Sequence, residues 1–97
     1  MQFIVTAWDH KDSEALKRRM DSREEHLALV VEMKEQGHDI FAAAMIDDEG
    51  TMIGSNMIVD FDTREELDRW LEKEPYVVNK VWEDINVQRC KVPDLFL

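Results

Sequence analysis

Cysteine is nearly absent, with Cys90 the single one among 97 residues. No intrachain disulfide can form, and zinc clusters built on several thiolates are excluded. Glycine (3) and proline (2) are also scarce, and no flexible linker, low-complexity segment or internal repeat is visible. Positive charge is in deficit. Twelve Lys and Arg stand against 22 Asp and Glu, for a formal net charge of −10. Such a surface repels phosphate backbones and anionic lipid, so neither nucleic-acid nor membrane partners are expected. No apolar run approaches the length of a membrane span. The opening Met1-Gln2-Phe3-Ile4-Val5 carries neither a basic n-region nor a long apolar stretch. The expected setting is a reducing, cytoplasmic compartment, with Cys90 a small core residue.

What is present suits one globular domain over residues 1–97. Hydrophobic residues (44%) suffice for a core, and charged residues (35%) are ordinary for a water-facing surface. Phe3 to Trp8 reads as a first strand. Asp12 and Ser13 open a helical turn over about residues 13–20. Ser22 with Glu25 three residues on reads as a capping box, placing the main helix over about 22–36 with Gly37 as its C-cap. Ile40 to Ile46 is uniformly apolar and reads as a buried second strand. Asp47-Asp48-Glu49-Gly50 turns the chain into a third strand, Ile53 to Phe61. Thr63 and Glu66 form another capping box, before a helix ending near Lys73. A further helical turn over Tyr76–Val81 and a last strand over Ile85–Cys90 complete the order βαββαβ.

That order predicts an α+β fold, a ferredoxin-like sandwich of four antiparallel strands with both helices on one face. The first and second strands are apolar on both faces. The face without helices therefore needs a cover, and a second copy of the chain is the simplest one, so a homodimer is expected.

On a helical wheel the second-helix residues Leu27, Leu29, Val30, Val31 and Met33 share one broad face. Arg23 and His26 fall inside that apolar arc, one turn apart, where desolvation demands a partner. Either Arg23 snorkels and His26 is a satisfied boundary residue, or the two belong to a site. Asp9, in phase with Phe3, Val5 and Ala7, is available to hold the His26 ring, though a strand-end Asp also commonly caps the next segment. Ser55 is in phase with Met57, Val59 and Phe61. The helix start at Ser22 would add unpaired N–H groups beside Arg23 and His26, attracting a small anion. His10, His38 and Asp47 read as exposed turn neighbours. Asp9, His10 and His26 lack metal-ligand spacing, so no metal is expected. No Gly-rich phosphate loop and no GxSxG motif occurs, and no cofactor is expected.

Four short segments carry a resemblance over nearly the whole chain. They are Ala7-Trp8-Asp9 ending the first strand, Arg23-Glu24-Glu25-His26-Leu27, Gly54-Ser55, and Glu74-Pro75-Tyr76-Val77. In order and spacing they resemble the YciI-like family, with its strand-end acid, Arg-x-x-His-Leu signature, Gly-Ser pair and Asp-Pro-Tyr-Val segment. Glu74 replaces the family's Asp, and Ala42-Ala43-Ala44 stands where the family usually has Ala-Gly-Pro. The resemblance implies a dimeric α+β barrel with a His–Asp pair in a cleft, carried over as His26 and Asp9. Arg23, Ser55 and Tyr76 would then contact a small anionic ligand. Some relatives act as dehydrochlorinases or lyases on oxidised aromatic compounds, and the fold hosts an isomerase, so acid–base chemistry of lyase, dehydrochlorinase or isomerase type is expected by analogy. The alternative is a non-catalytic dimeric module that binds a small ligand.

Overall fold

A computed structural model describes all 97 residues. The elements run β1 (Gln2–Asp9), α1 (Ala15–Glu35), β2 (Asp39–Ile46), β3 (Met52–Asp60), α2 (Arg64–Lys73), α3 (Pro75–Val78) and β4 (Trp82–Cys90), followed by a 3₁₀ turn over Asp94–Phe96. The four strands form one antiparallel sheet in the order β2-β3-β1-β4, the expected ferredoxin-like arrangement. No helix is long and apolar enough to cross a membrane.

Alternation along the central strands sorts the side chains by face. Phe3, Val5, Ala7 and Asp9 of β1 are buried, and so are Ser55, Met57 and Val59 of β3. These residues stand opposite one another across the sheet, Val5 beside Met57 and Ala7 beside Ser55. Met33, Leu67, Trp70 and Tyr76 from the helices join the same core. The other face carries Ile4, Thr6, Trp8, Asn56, Ile58 and Asn86 and has no helix over it. Trp8 there is 45% exposed.

Three expectations need correction. The turn over 13–20 and the helix over 22–36 are one continuous helix, α1. Ser22 is buried inside it, and its hydroxyl accepts from Asn79 Nδ2 at 3.0 Å instead of capping. Lys17 and Asp21, one turn apart at 2.7 Å, carry the helix through the supposed break. The real start lies near Asp12, which accepts from the Glu14 N–H and clamps Arg18 through two 2.7 Å contacts. Second, β2 is no buried strand. It lies at the sheet edge, so Phe41 to Ala44 are exposed despite their apolar character. Third, β4 begins at Trp82, three residues before Ile85. Thr63 caps α2 as expected, its hydroxyl accepting from the Glu66 N–H at 3.2 Å, while the Glu66 side chain does not return the bond. Gly54 is required by close approach. A Cβ there would stand 2.5 Å from the Ala7 carbonyl oxygen, which lets β3 lie tight against β1 beside Ser55.

Asp39 opens β2 on the helix-covered face, opposite Val59, and is 8% exposed. Its Oδ1 has neither a partner nor solvent. Burial pushes its carboxyl up to about 6, against the pull of the Phe41 N–H, Lys34 and His26, and with a push from Glu74. The unfolded chain releases this proton near 3.8 and the folded chain only near 6, so stability falls as pH rises through that window. Asp39→Asn is expected to flatten the loss and to stabilise the protein by about 1–3 kcal/mol above pH 6, with no gain below pH 4. Denaturant melts across pH 4–7 check this.

Candidate functional site

Because α1 is continuous, its inward face reads Ala15, Arg19, Ser22, His26 and Met33, all buried. Arg19 and His26 are seven residues apart, so they project from the same face about two turns apart. Each side chain meets a buried acid, and the two acids come from different elements.

Arg19 is 3% exposed. Its Nη1 donates to both Asp9 oxygens, at 2.9 and 3.1 Å, and its Nη2 to Ser55 Oγ at 2.9 Å. Trp82 Nε1 donates to the same Ser55 oxygen at 3.1 Å. Two accepted bonds occupy the hydroxyl's lone pairs and leave its proton free to donate. The Arg19 guanidinium also lies 4.7 Å from the Tyr76 ring centre, and its Nε has no hydrogen-bond partner. Burial pushes the Asp9 carboxyl above its usual range, although Arg19 pulls the other way.

His26 therefore does not take Asp9 as the acid on its Nδ1. Its Nδ1 faces Glu74 Oε1, because Asp9 is engaged by Arg19. Glu74 is fully buried at the N-cap of α3. It also accepts from Trp70 Nε1 at 3.2 Å and from the Tyr76 N–H at 3.3 Å. A carboxylate gathering donors assigns the ring proton to Nδ1 and leaves Nε2 as the free nitrogen. Nε2 makes no hydrogen bond within the chain. The imidazole is stacked on Tyr76 at 4.0 Å with a 13° interplanar angle, and Trp82 meets it edge-on at 6.2 Å. These contacts fix its plane.

A cavity of about 170 Å³ opens between this face of α1 and the β2–β3 hairpin. Arg19, His26, Ser55 and Tyr76 line its polar side, and Ala42 to Ala44, Met52 and Met57 its apolar side. Burial holds the Tyr76 phenol above its usual range, so it stays a donor. Its hydroxyl has no partner in the chain. Arg23 is exposed at the rim. It sits mid-helix, so the expected help from helix-start N–H groups is absent. Of the five expected residues, the structure brings His26, Ser55, Tyr76 and Arg23 to one cavity and places Asp9 behind it through Arg19. Arg19 and Glu74 were missed. Extending the His26 face back by seven residues would have found Arg19. A Glu before Pro, flanked by Trp70 and Tyr76, was the signal for Glu74.

The other histidines are satisfied elsewhere. His10 faces Glu83 at 3.3 Å, and His38 Nδ1 contacts the Asp60 carbonyl at 2.8 Å. Asp47 is a turn acid that accepts from the Glu49 and Thr51 N–H groups. A larger hollow of about 740 Å³ between α1 and α2 lies over Phe61 and Trp70 behind a charged rim. It gathers no unpartnered buried polar atom, which is why the smaller cavity is the candidate.

The geometry has parallels among known proteins. The YCII-related domain family matches residues 1–91. Protein YciI of Escherichia coli O6:H1 is 30% identical, covering 94% of this chain and 97% of its own length. An uncharacterised protein of Haemophilus influenzae is 28% identical over the same shares. Among solved structures, the 5-chloro-2-hydroxyhydroquinone dehydrochlorinase TftG of Burkholderia phenoliruptrix AC1100, in complex with 2,5-dihydroxybenzoquinone, superposes with a TM-score of 0.83. It covers 98% of both chains at 21% identity, a likeness of fold, here that of a dimeric α+β barrel. The chain belongs to the YCII-related domain family.

Proposed function

We propose that the protein moves a proton on a small, oxygenated, anionic substrate, in a reaction of lyase, dehydrochlorinase or isomerase type. His26 Nε2 is the acid/base, and Glu74 takes over the orienting role first expected of Asp9. Arg23 draws the anion to the rim, while Ser55 and Tyr76 donate to substrate oxygens. Asp9 is a positioning residue, acting through the Arg19 guanidinium. The observation that carries this reading is the His26 ring itself. Its Nδ1 is held by a fully buried carboxylate, and its Nε2 has no partner in the chain. The dehydrochlorinase of similar fold, solved with a dihydroxyquinone, supports the substrate class by analogy. The competing reading is ligand binding without turnover, which the small cavity favours.

The test is turnover of chlorinated hydroxyquinones, hydroxylated aromatic acids and lactones by purified protein, followed by absorbance and chromatography. The reading expects at least one compound to be converted, and His26→Ala to slow it by about 10²–10⁴-fold while Arg23→Ala chiefly raises KM. Saturable binding with no conversion, or conversion indifferent to His26→Ala, goes against it.

The same reading includes a homodimer in which the two sheets meet face to face. Phe41, Ile4 and Ile58 share the uncovered face and line a groove of about 430 Å³ that reaches Phe96. A stable interface needs roughly 800 Å² from each partner. Sedimentation at micromolar concentration is expected to give a dimer, and Phe41→Glu to shift it toward monomer. A wild-type monomer contradicts it.

A further inference from the structure

Beside the 170 Å³ cavity lies a second hollow of about 690 Å³, between the end of β1 and the start of β3. Trp8, Lys11, Leu16 and Ile53 are among its walls. The two hollows have one residue in common, Met52, which lines both. They also meet through an ion pair, since Asp9 lines the outer one and Arg19 the inner one.

Both strands that edge the outer hollow lose their register there. Met45 pairs with Gly54 and Ile46 with Met52, so Ile53 is left over as a bulge. Trp8 pairs with Asp84 and Asp9 with Trp82, leaving Glu83 over. A bulge re-aims side chains, so neighbours that regular alternation would send to opposite faces come to share one. Met52 and the bulged Ile53 both line the outer hollow, which Trp8 and Asp9 reach from the two faces of β1.

The volumes then divide the labour. A cavity of about 150 Å³ holds one benzene ring, so the inner one, at 170 Å³, has room for a single six-membered ring. His26 Nε2 and the Tyr76 hydroxyl, neither of them bonded within the chain, are the polar groups available to an oxygen on that ring. The outer hollow sets Leu16, Ile53 and an indole that is 45% exposed beside a charged rim of Lys11, Asp12 and Asp84. Between them stands a half-buried thioether with three rotatable bonds, the side chain most able to swing aside.

We propose that Met52 is a movable partition between two chambers of one site, and that the ligand is bipartite: an oxygenated, anionic ring inside and an apolar or aromatic arm outside, lying on Trp8. The proposal rests on the inner cavity being the binding site, as the proposed function assumes, and adds to it a size class and a specificity-determining residue.

The probes are benzoate, with one ring, and 4-phenylbenzoate, with two, titrated while NMR follows the His26 ring and the Trp8 indole N–H. Benzoate is expected to shift His26 alone, and 4-phenylbenzoate to shift both. Met52→Phe should weaken 4-phenylbenzoate by about tenfold and leave benzoate within about twofold, while Met52→Ala tightens 4-phenylbenzoate. Thermal melts confirm that each variant folds. Trp8 unmoved by 4-phenylbenzoate, equal weakening of both probes by Met52→Phe, or no binding of either at millimolar concentration would overturn the proposal. A crystal structure of Met52→Ala in which the chambers stay separate overturns the partition even if the enzyme turns over. Binding of both probes as described, with no compound ever converted, removes the catalytic reading and leaves the partition standing.

Discussion

A carboxylate with no exposure to water is the constraint around which this molecule is arranged. Glu74 in an apolar interior is tolerable only if its oxygens are met by hydrogen-bonding partners, and three converge on it. They come from different elements: Trp70 from α2, the Tyr76 N–H from α3 and His26 from α1. One acid therefore joins the three helices, and loss of any donor would leave a buried polar group short of a partner, commonly a cost of about 1–3 kcal/mol. The same geometry fixes the His26 tautomer. A structural requirement and a chemical one are met by the same contacts.

A second ionic chain repeats this logic at the sheet. Arg19 reaches Asp9 at the end of β1 and Ser55 in β3, and Ser55 is also held by Trp82 of β4. Tyr76 stands between the two chains, with the imidazole on its ring at 4.0 Å and the guanidinium 4.7 Å from its centre. Both basic side chains project from α1, so an unbroken helix is what sets their separation. A break at Ser22 would uncouple them. The hydrogen bond from Asn79 to the Ser22 hydroxyl anchors the middle of that helix to the residue after α3.

Much of the fold was legible because its signals are local. The cap at Thr63, Gly37 after α1 and the turn at Gly50 act over a few residues, and strand alternation sorted β1 and β3 by face. The errors share one cause. Ser22 and Glu25 satisfy the local rule for a helix start, but helix propensity and the 57-residue reach to Asn79 decide otherwise. Β2 is apolar enough to be central, yet its rank in the sheet depends on pairing that composition does not encode. Four of the eleven cavity-lining residues were legible: His26, Arg23 and Ser55 from phase, and Tyr76 from the resemblance. Partners were not. Asp9 and Glu74 are both acids at element ends, and only the tertiary fold shows that Arg19 takes the first and His26 the second.

The central claim, that Glu74 and not Asp9 sets the state of His26, is tested most directly by long-range ¹H–¹⁵N correlation of the neutral imidazole. The account predicts a proton on Nδ1 and an unprotonated Nε2, unchanged by Asp9→Asn. A ring protonated on Nε2, or a tautomer that switches when Asp9 is replaced, would contradict it.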